Sequence, residues 1–332
     1  MSISGFLLVI VTGFLLGLSG VMIFKKISLR YGILNQKGMP LVGGAVTVLV
    51  FTILSAVFVY PVFTRELKGL IISSLLMFVF GVIDDWHELS VPAKFTAQII
   101  ATAVMMAFGI KAQIVYIGNA FNAAVTFLWV IGITNAFNHL DVSDGLAAGA
   151  AVMVSASLFI VASINNDVSA ALLSLVLVAS LLACLIYNFP PAKIYMGNSG
   201  SHFLGFLIAG IALAISYAPL HRKIALLSPV VILGLPIFDT AFLILARLLK
   251  RKMPFNKSDD HLALRFIAGG YSKKKTLLAM LVLCFLFCLF GVLLSQVSNI
   301  AGAFLLLGMA VIIMIFLRKL RSMKQRQSAA YG

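Results

Sequence analysis

Asn135-Ala-Phe-Asn-His-Leu-Asp-Val-Ser-Asp-Gly-Leu-Ala-Ala-Gly149 places two asparagines, a histidine and two aspartates between runs of apolar residues. Ionisable groups at membrane depth cost several kcal/mol unless they are paired, hydrated or bound to a ligand. The stretch therefore poses two questions: whether the flanking runs cross a membrane, and what Asp141 and Asp144 face.

Composition answers the first. The chain has 332 residues, of which 62% are hydrophobic and only 11% charged, with a mean hydropathy of +1.11. Soluble domains are about half apolar and a quarter charged, so an all-α, polytopic membrane protein is predicted. The net charge of +15 does not point to nucleic acid, because its placement follows membrane topology. Cys184, Cys284 and Cys288 sit inside apolar runs and read as small buried hydrophobes. The first apolar run lacks a basic leader and a cleavage site, which predicts a retained first span.

A crossing helix needs about 20 apolar residues. This criterion predicts about eleven spans (ten to eleven), at 3–24, 41–63, 67–83, 95–111, 123–138, 146–164, 169–187, 201–218, 224–246, 276–296 and 299–317. The whole chain, 1–332, reads as one transmembrane domain with a basic tail at 318–332. An odd count puts the termini on opposite sides, and Lys/Arg bias chooses which. With the N-terminus outside and the C-terminus cytoplasmic, most of the 25 basic residues fall in cytoplasmic loops. Only Arg65, Lys68, Lys111, Arg222 and Lys223 lie opposite.

The carboxylates follow the same face. Asp84, Asp85, Glu88, Asp141, Asp144, Asp259 and Asp260 fall in those cytoplasmic loops or at helix ends beside them, and Asp239 lies near the same end of the ninth span. Acidic side chains gain nothing from the charge bias, so their gathering predicts a shared pocket. Carboxylates, carboxamides and lysines together suit Mg²⁺ and phosphates.

Each motif carries a functional and a structural reading. Lys37 precedes Pro40 and Gly43-Gly44, where glycine permits close approach of a ligand or of a neighbouring helix. Asp84-Asp85 closes the third span, followed by Lys94-Phe95. Adjacent carboxylates at a helix C-terminus oppose the macrodipole and become favourable around a cation; a solvated turn is the structural alternative. Asn135, Asn138, Asp141 and Asp144 recur at i, i+3 and share one face of a continuous helix, while Gly145 suits a closely approached backbone. Met196-Gly-Asn198-Ser-Gly-Ser201 ahead of an apolar helix can cradle an anion, although capping by Ser199 or Ser201 explains it equally well. His261 and Arg265 end a basic loop after Asp259-Asp260, where His261 can meet a diphosphate or be simply solvated.

In this order the motifs resemble the polyprenyl-phosphate N-acetylhexosamine-1-phosphate transferase family, glycosyltransferase family 4, over nearly the whole chain. The members that begin antigen and teichoic acid synthesis look nearer than the muramoyl-pentapeptide branch. The resemblance implies transfer of N-acetylhexosamine 1-phosphate from a UDP-sugar such as UDP-N-acetylglucosamine to undecaprenyl phosphate. UMP is released, and a cell-envelope glycan such as O-antigen is initiated at the cytoplasmic face of the inner membrane.

It further implies Mg²⁺, with Mn²⁺ an alternative, and assigns roles by position. Asp84, Asp85, Asp141 and Asp144 are the expected catalytic residues. Lys37, Lys94, Asn135, Asn138, Gly145, His261 and Arg265 are expected to bind substrate, and Asn138, Asp141 and Asn198 to hold the metal. Membrane lipid is the expected surrounding partner, nucleic acid is not, and a homodimer is compatible with the sequence.

The chain departs from the family pattern at Asn198, where an aspartate is usual, at Val142 inside the D-G-x-D-G motif, and at Ala263 and Leu264, where histidines are usual. A catalytically impaired homologue that binds lipid or partners is therefore a second reading. A transporter is a third, but it predicts ionisable groups near the bilayer midplane on several helices.

Overall fold

The computed structural model describes residues 3–34, 38–115, 117–217, 222–251 and 260–330, with side chains as far as 320. Lys37 and Asp259 lie outside the described residues. Within them the chain is all α apart from one isolated backbone bridge between Leu34 and Pro40. It forms two compact units, Met1–Ser216 and Tyr217–Gly332.

The first unit contains α1 (Ile3–Tyr31), α2 (Gly43–Leu54), α3 (Arg65–Trp86), α4 (Val91–Ala107), α5 (Gly118–Leu140), α6 (Leu146–Ile164), α7 (Val168–Asn188) and α8 (Gly197–Ala214). Polar residues between the apolar runs start several of these helices. Thr64 accepts the Leu67 N–H, Ser90 the Ala93 N–H and Asp167 the Ala170 N–H, each filling one orphan donor of a first turn.

The unit is built around α8, whose residues from Ser199 to Ala212 are all buried. A helix apolar on every side is stable only when surrounded, and α2, α3, α5, α6 and α7 surround it. Two glycines allow the backbones to touch. A Cβ on Gly44 would lie 2.5 Å from the Gly200 nitrogen, and one on Gly81 would lie 2.4 Å from the Ser199 Cα. In apolar surroundings such close van der Waals packing of small residues drives helix association. Of the two readings open for Gly44, the structure shows helix packing.

The second unit contains α9 (Ser228–Ile232), α10 (Gly234–Leu249), α11 (Leu262–Ala268), α12 (Lys273–Leu294) and α13 (Asn299–Ala330). The helical segments Lys223–Ile232 and Gly234–Leu249 meet at a bend of 74°. Pro236 has no N–H to give the Ile232 carbonyl, so the helix ladder breaks there. The Cys288 thiol stands 3.7 Å from that carbonyl instead. All three cysteines are buried and none is joined in a disulfide, as expected.

The protein is an all-α, multi-pass membrane protein. Eight helices among the described residues are long and apolar enough to cross a membrane, or up to nine if the bent pair is one crossing. Three of the expected spans fall outside that count as single long helices. Val91–Ala107 has only 17 residues, α8 spends its first turn on polar residues, and the 224–246 run is the broken pair.

Candidate active site

Three elements carrying carboxylates and carboxamides converge on the first turn of α8. Gly197 adopts φ +75°, which turns the chain sharply into the helix, and the exposed N–H groups of that turn are taken by acidic side chains from elsewhere. Asp85, at the end of α3, accepts the Asn198 N–H at 2.8 Å through Oδ1 and the Ser199 N–H at 3.0 Å through Oδ2. Asp141, just past the end of α5, lies near the Gly197 backbone, whose amide favours its charged form. The positive end of the α8 dipole thus faces two carboxylates.

This corrects two expectations. The α8 N-terminus is capped neither by Ser199 nor by Ser201, and its outermost amides are engaged by the protein's own carboxylates rather than left open as a cradle. Asp84 and Asp85 also do not share a partner. Asp84, buried, accepts the Leu89 N–H at 2.8 Å through Oδ1 and pairs with Lys94 Nζ at 2.7 Å through Oδ2. Successive residues on a helix are about 100° apart, so one aspartate turns to α4 and the other to α8. That division makes the adjacent negative charges tolerable at the C-terminus of α3.

Asn138 Nδ2 donates to Asn198 Oδ1 and to Ser201 Oγ, each at 3.0 Å, so the carboxamides of α5 and α8 meet across the cluster. Asp141 carries the strain of the arrangement. Removal from solvent, followed by the Asp85 charge and to a lesser degree that of Asp144, pushes its carboxyl up to about 8. Asp144 is buried and turns to the loop before α8, accepting from Tyr195 Oη at 3.2 Å and the Ala192 N–H at 3.4 Å. Burial and the Asp144 charge raise the Tyr195 phenol, which keeps it a donor.

Two of the expected substrate-binding residues have partners within the protein. Asn135 exchanges hydrogen bonds with Gln98 of α4, at 2.8 Å and 3.2 Å, and also donates to the Ile131 carbonyl. Gly145, with φ +76°, begins α6 in the left-handed region that glycine favours, and its N–H goes to Asn188 Oδ1 at 3.0 Å. Asn188, buried, also donates to the Ile194 carbonyl at 2.8 Å, tying the Asp141–Gly145 loop to the loop before α8.

His261 and Arg265 belong to the second unit. His261 is buried with Nδ1 2.9 Å from Asp239 Oδ2, while Asp239 Oδ1 accepts the Leu262 N–H at 2.8 Å. Of the two readings open for His261, the solvated one is set aside by this burial, and the neighbouring Asp260 is bound to Lys250 and Arg265. Arg265 also stacks over the Phe242 ring, 4.7 Å from its centroid.

The sequence by itself does not single out Gln98, Asn188 or His202 as members of a site. Gln98 and Asn188 are polar residues within or at the end of an apolar helix, whereas His202 closes the polar first turn of α8. Of the departures from the family pattern, Val142 has an ordinary backbone conformation, so nothing in the loop demands glycine there. Ala263 is buried in α11.

Asp85, Asn138, Asp141 and Asn198 present oxygen donors, the kind a hard divalent cation takes. Among the described residues no three carboxylate, imidazole or thiol groups converge as a metal site, and the carboxamide of Asn198 stands where the family's third carboxylate would. The fit is thus one of donor type, with a like-charge strain at Asp141 that a cation would relieve.

The profile of glycosyl transferase family 4 matches residues 67–216, which include every member of this cluster. The probable undecaprenyl-phosphate N-acetylglucosaminyl 1-phosphate transferase of Bacillus subtilis (strain 168) is 32% identical over 93% of this chain and 90% of its own length. The decaprenyl-phosphate N-acetylglucosaminephosphotransferase of Mycobacterium leprae is 27% identical over 96% and 91%. A phospho-N-acetylmuramoyl-pentapeptide-transferase of Streptococcus equi subsp. zooepidemicus is 33% identical over 55% of this chain and 61% of its own.

Proposed function

Since the chain belongs to the polyprenyl-phosphate N-acetylhexosamine-1-phosphate transferase family, which moves a sugar 1-phosphate from a UDP-sugar to a polyprenyl phosphate and releases UMP, we propose that its donor is UDP-N-acetylglucosamine and its acceptor undecaprenyl phosphate. The reaction takes place at the cytoplasmic face of the inner membrane and begins a cell-envelope glycan. The Bacillus subtilis relative's name supports the choice of sugar and lipid. The observation that carries the reading is the convergence of Asp85, Asn138, Asp141 and Asn198 on the first turn of α8.

The chemistry asks little proton transfer of the protein. A phosphate monoester with a second pKa near 6 is largely dianionic at pH 7, so the nucleophile is already formed. The obstacle is bringing that anion to an anionic diphosphate, which positioned cationic groups overcome. Mg²⁺ or Mn²⁺ held by Asp141, Asn138 and Asn198 would supply the charge that stabilises the departing UMP. Lys94 is held by Asp84 with its side chain 26% exposed. An ammonium has three donors, so it can meet the acceptor phosphate while still anchored. Asp85 keeps the first turn of α8 in place beneath the donor site, and Asp144 holds the loop through Tyr195.

The test uses the purified full chain with undecaprenyl phosphate, Mg²⁺ or Mn²⁺, and a panel of UDP-N-acetylhexosamines, measuring UMP. Release with UDP-N-acetylglucosamine, abolished by chelation, is expected; release with another donor alone would overturn the sugar assignment. The impaired-homologue reading is favoured by Asn198, whose carboxamide is already bonded to Asn138. Silence with every donor, relieved by Asn198→Asp, would establish it.

A further inference from the structure

His202 lies one turn into α8 and is 4% exposed. Its Nδ1 is 2.8 Å from the Asn198 carbonyl oxygen. A carbonyl only accepts, so Nδ1 carries the proton and the neutral ring keeps an acceptor lone pair on Nε2. A void of about 10 Å³ is lined by His202 together with Asp84 and Lys94, and walled by Met77, Phe80, Leu89 and Ala97. The imidazole also interacts electrostatically with Asp84, Lys94 and Asp85. A void of this size holds at most one water, and only where polar partners line it. An unneeded polar ring buried here would cost stability.

We propose that His202 is a positioning residue for Lys94: in the tautomer fixed by the Asn198 carbonyl, its Nε2 accepts through one buried water that the Lys94 ammonium also contacts. Asp84 neutralises and anchors Lys94 from one side, and His202 directs the ammonium from another. The remaining donor then points toward the acceptor phosphate. The inference rests on the reading of Lys94 as a phosphate-facing residue and adds the side chain of α8 that orients it.

The test separates the two ring nitrogens. The side-chain amide of His202→Asn reproduces the Nδ1 position and lacks Nε2, whereas that of His202→Gln reaches the Nε2 position. Affinity for undecaprenyl phosphate is measured by titration of the full chain in detergent, with affinity for UDP-N-acetylglucosamine and the thermal midpoint as controls. His202→Asn is expected to weaken lipid-phosphate binding about tenfold, the size of a lost hydrogen bond to a charged group, with both controls unmoved. His202→Gln is expected to stay within about twofold of wild type.

Equal affinities for the two variants, or parallel losses for lipid and nucleotide, would overturn the proposal. Lys94→Ala is run alongside. If it leaves lipid affinity unchanged, the phosphate-facing reading of Lys94 fails and the proposal goes with it. If Lys94→Ala weakens binding and His202→Asn does not, only the role of His202 is lost.

Discussion

Asp85 accepts the Asn198 N–H at 2.8 Å, so the last turn of α3 caps the first turn of α8 across more than a hundred residues of chain. An acidic cap of this kind satisfies orphan amides and compensates the helix dipole at once. It also makes the aspartate part of the framework as well as part of the candidate active site.

Asp85→Asn should therefore produce two effects. Loss of the charge at the cap is expected to lower stability by about 1 kcal/mol, read as a fall in thermal midpoint. UMP release is expected to drop to background. Retained turnover with a lowered midpoint would confine Asp85 to the framework.

Gly81→Ala tests the close approach of α3 to α8. The added methyl would meet the Ser199 backbone at 2.4 Å, where no flexible side chain can yield. Overpacking of this kind costs about 1–3 kcal/mol, and the displaced turn should loosen the Asp85 contact. Lower thermal stability together with reduced UMP release is the expected result.

Asn188→Ala removes one side chain that serves both loops of the site. It leaves the Gly145 N–H and the Ile194 carbonyl without their partner, and each unsatisfied buried group costs about 1–3 kcal/mol. A drop in thermal midpoint should accompany a lower kcat, because Asp144 is held by the loop that Asn188 ties down.

Asn135→Ala separates a framework residue from a binding residue. Its amide is paired with Gln98, so the structure predicts a stability loss of about 1–3 kcal/mol with KM for both substrates unchanged. A selective rise in the KM for the UDP-sugar would restore the substrate-binding role inferred from sequence.

Asn198→Asp adds a third carboxylate to the cluster while keeping an oxygen for Asn138 Nδ2 to meet. An extra unit charge close to a divalent cation should lower the Mg²⁺ concentration for half-maximal activity at least about tenfold. Titration of UMP release with Mg²⁺ checks this.

Local composition and spacing, without any coordinates, already determine that the chain is helical, membrane-embedded and rich in oxygen donors at a few helix ends. Apolar run length and the i, i+3 spacing of Asn138, Asp141 and the residues around them are properties of neighbouring residues, and no folding is needed to read them. What faces what is decided by tertiary structure, because a side chain's partner depends on which helix packs beside it. Asn135 and Asn138 share a motif, yet Asn135 meets Gln98 on α4 and Asn138 meets Asn198 on α8. Asp84 and Asp85 are adjacent, yet they serve Lys94 and the α8 amides. The apolar run of α8 reads as one span among the others because hydrophobicity has the same signature in lipid and in a protein core. Only the packing of α2, α3 and α5 against it shows that α8 is the centre of its unit and that the candidate site is built on its first turn.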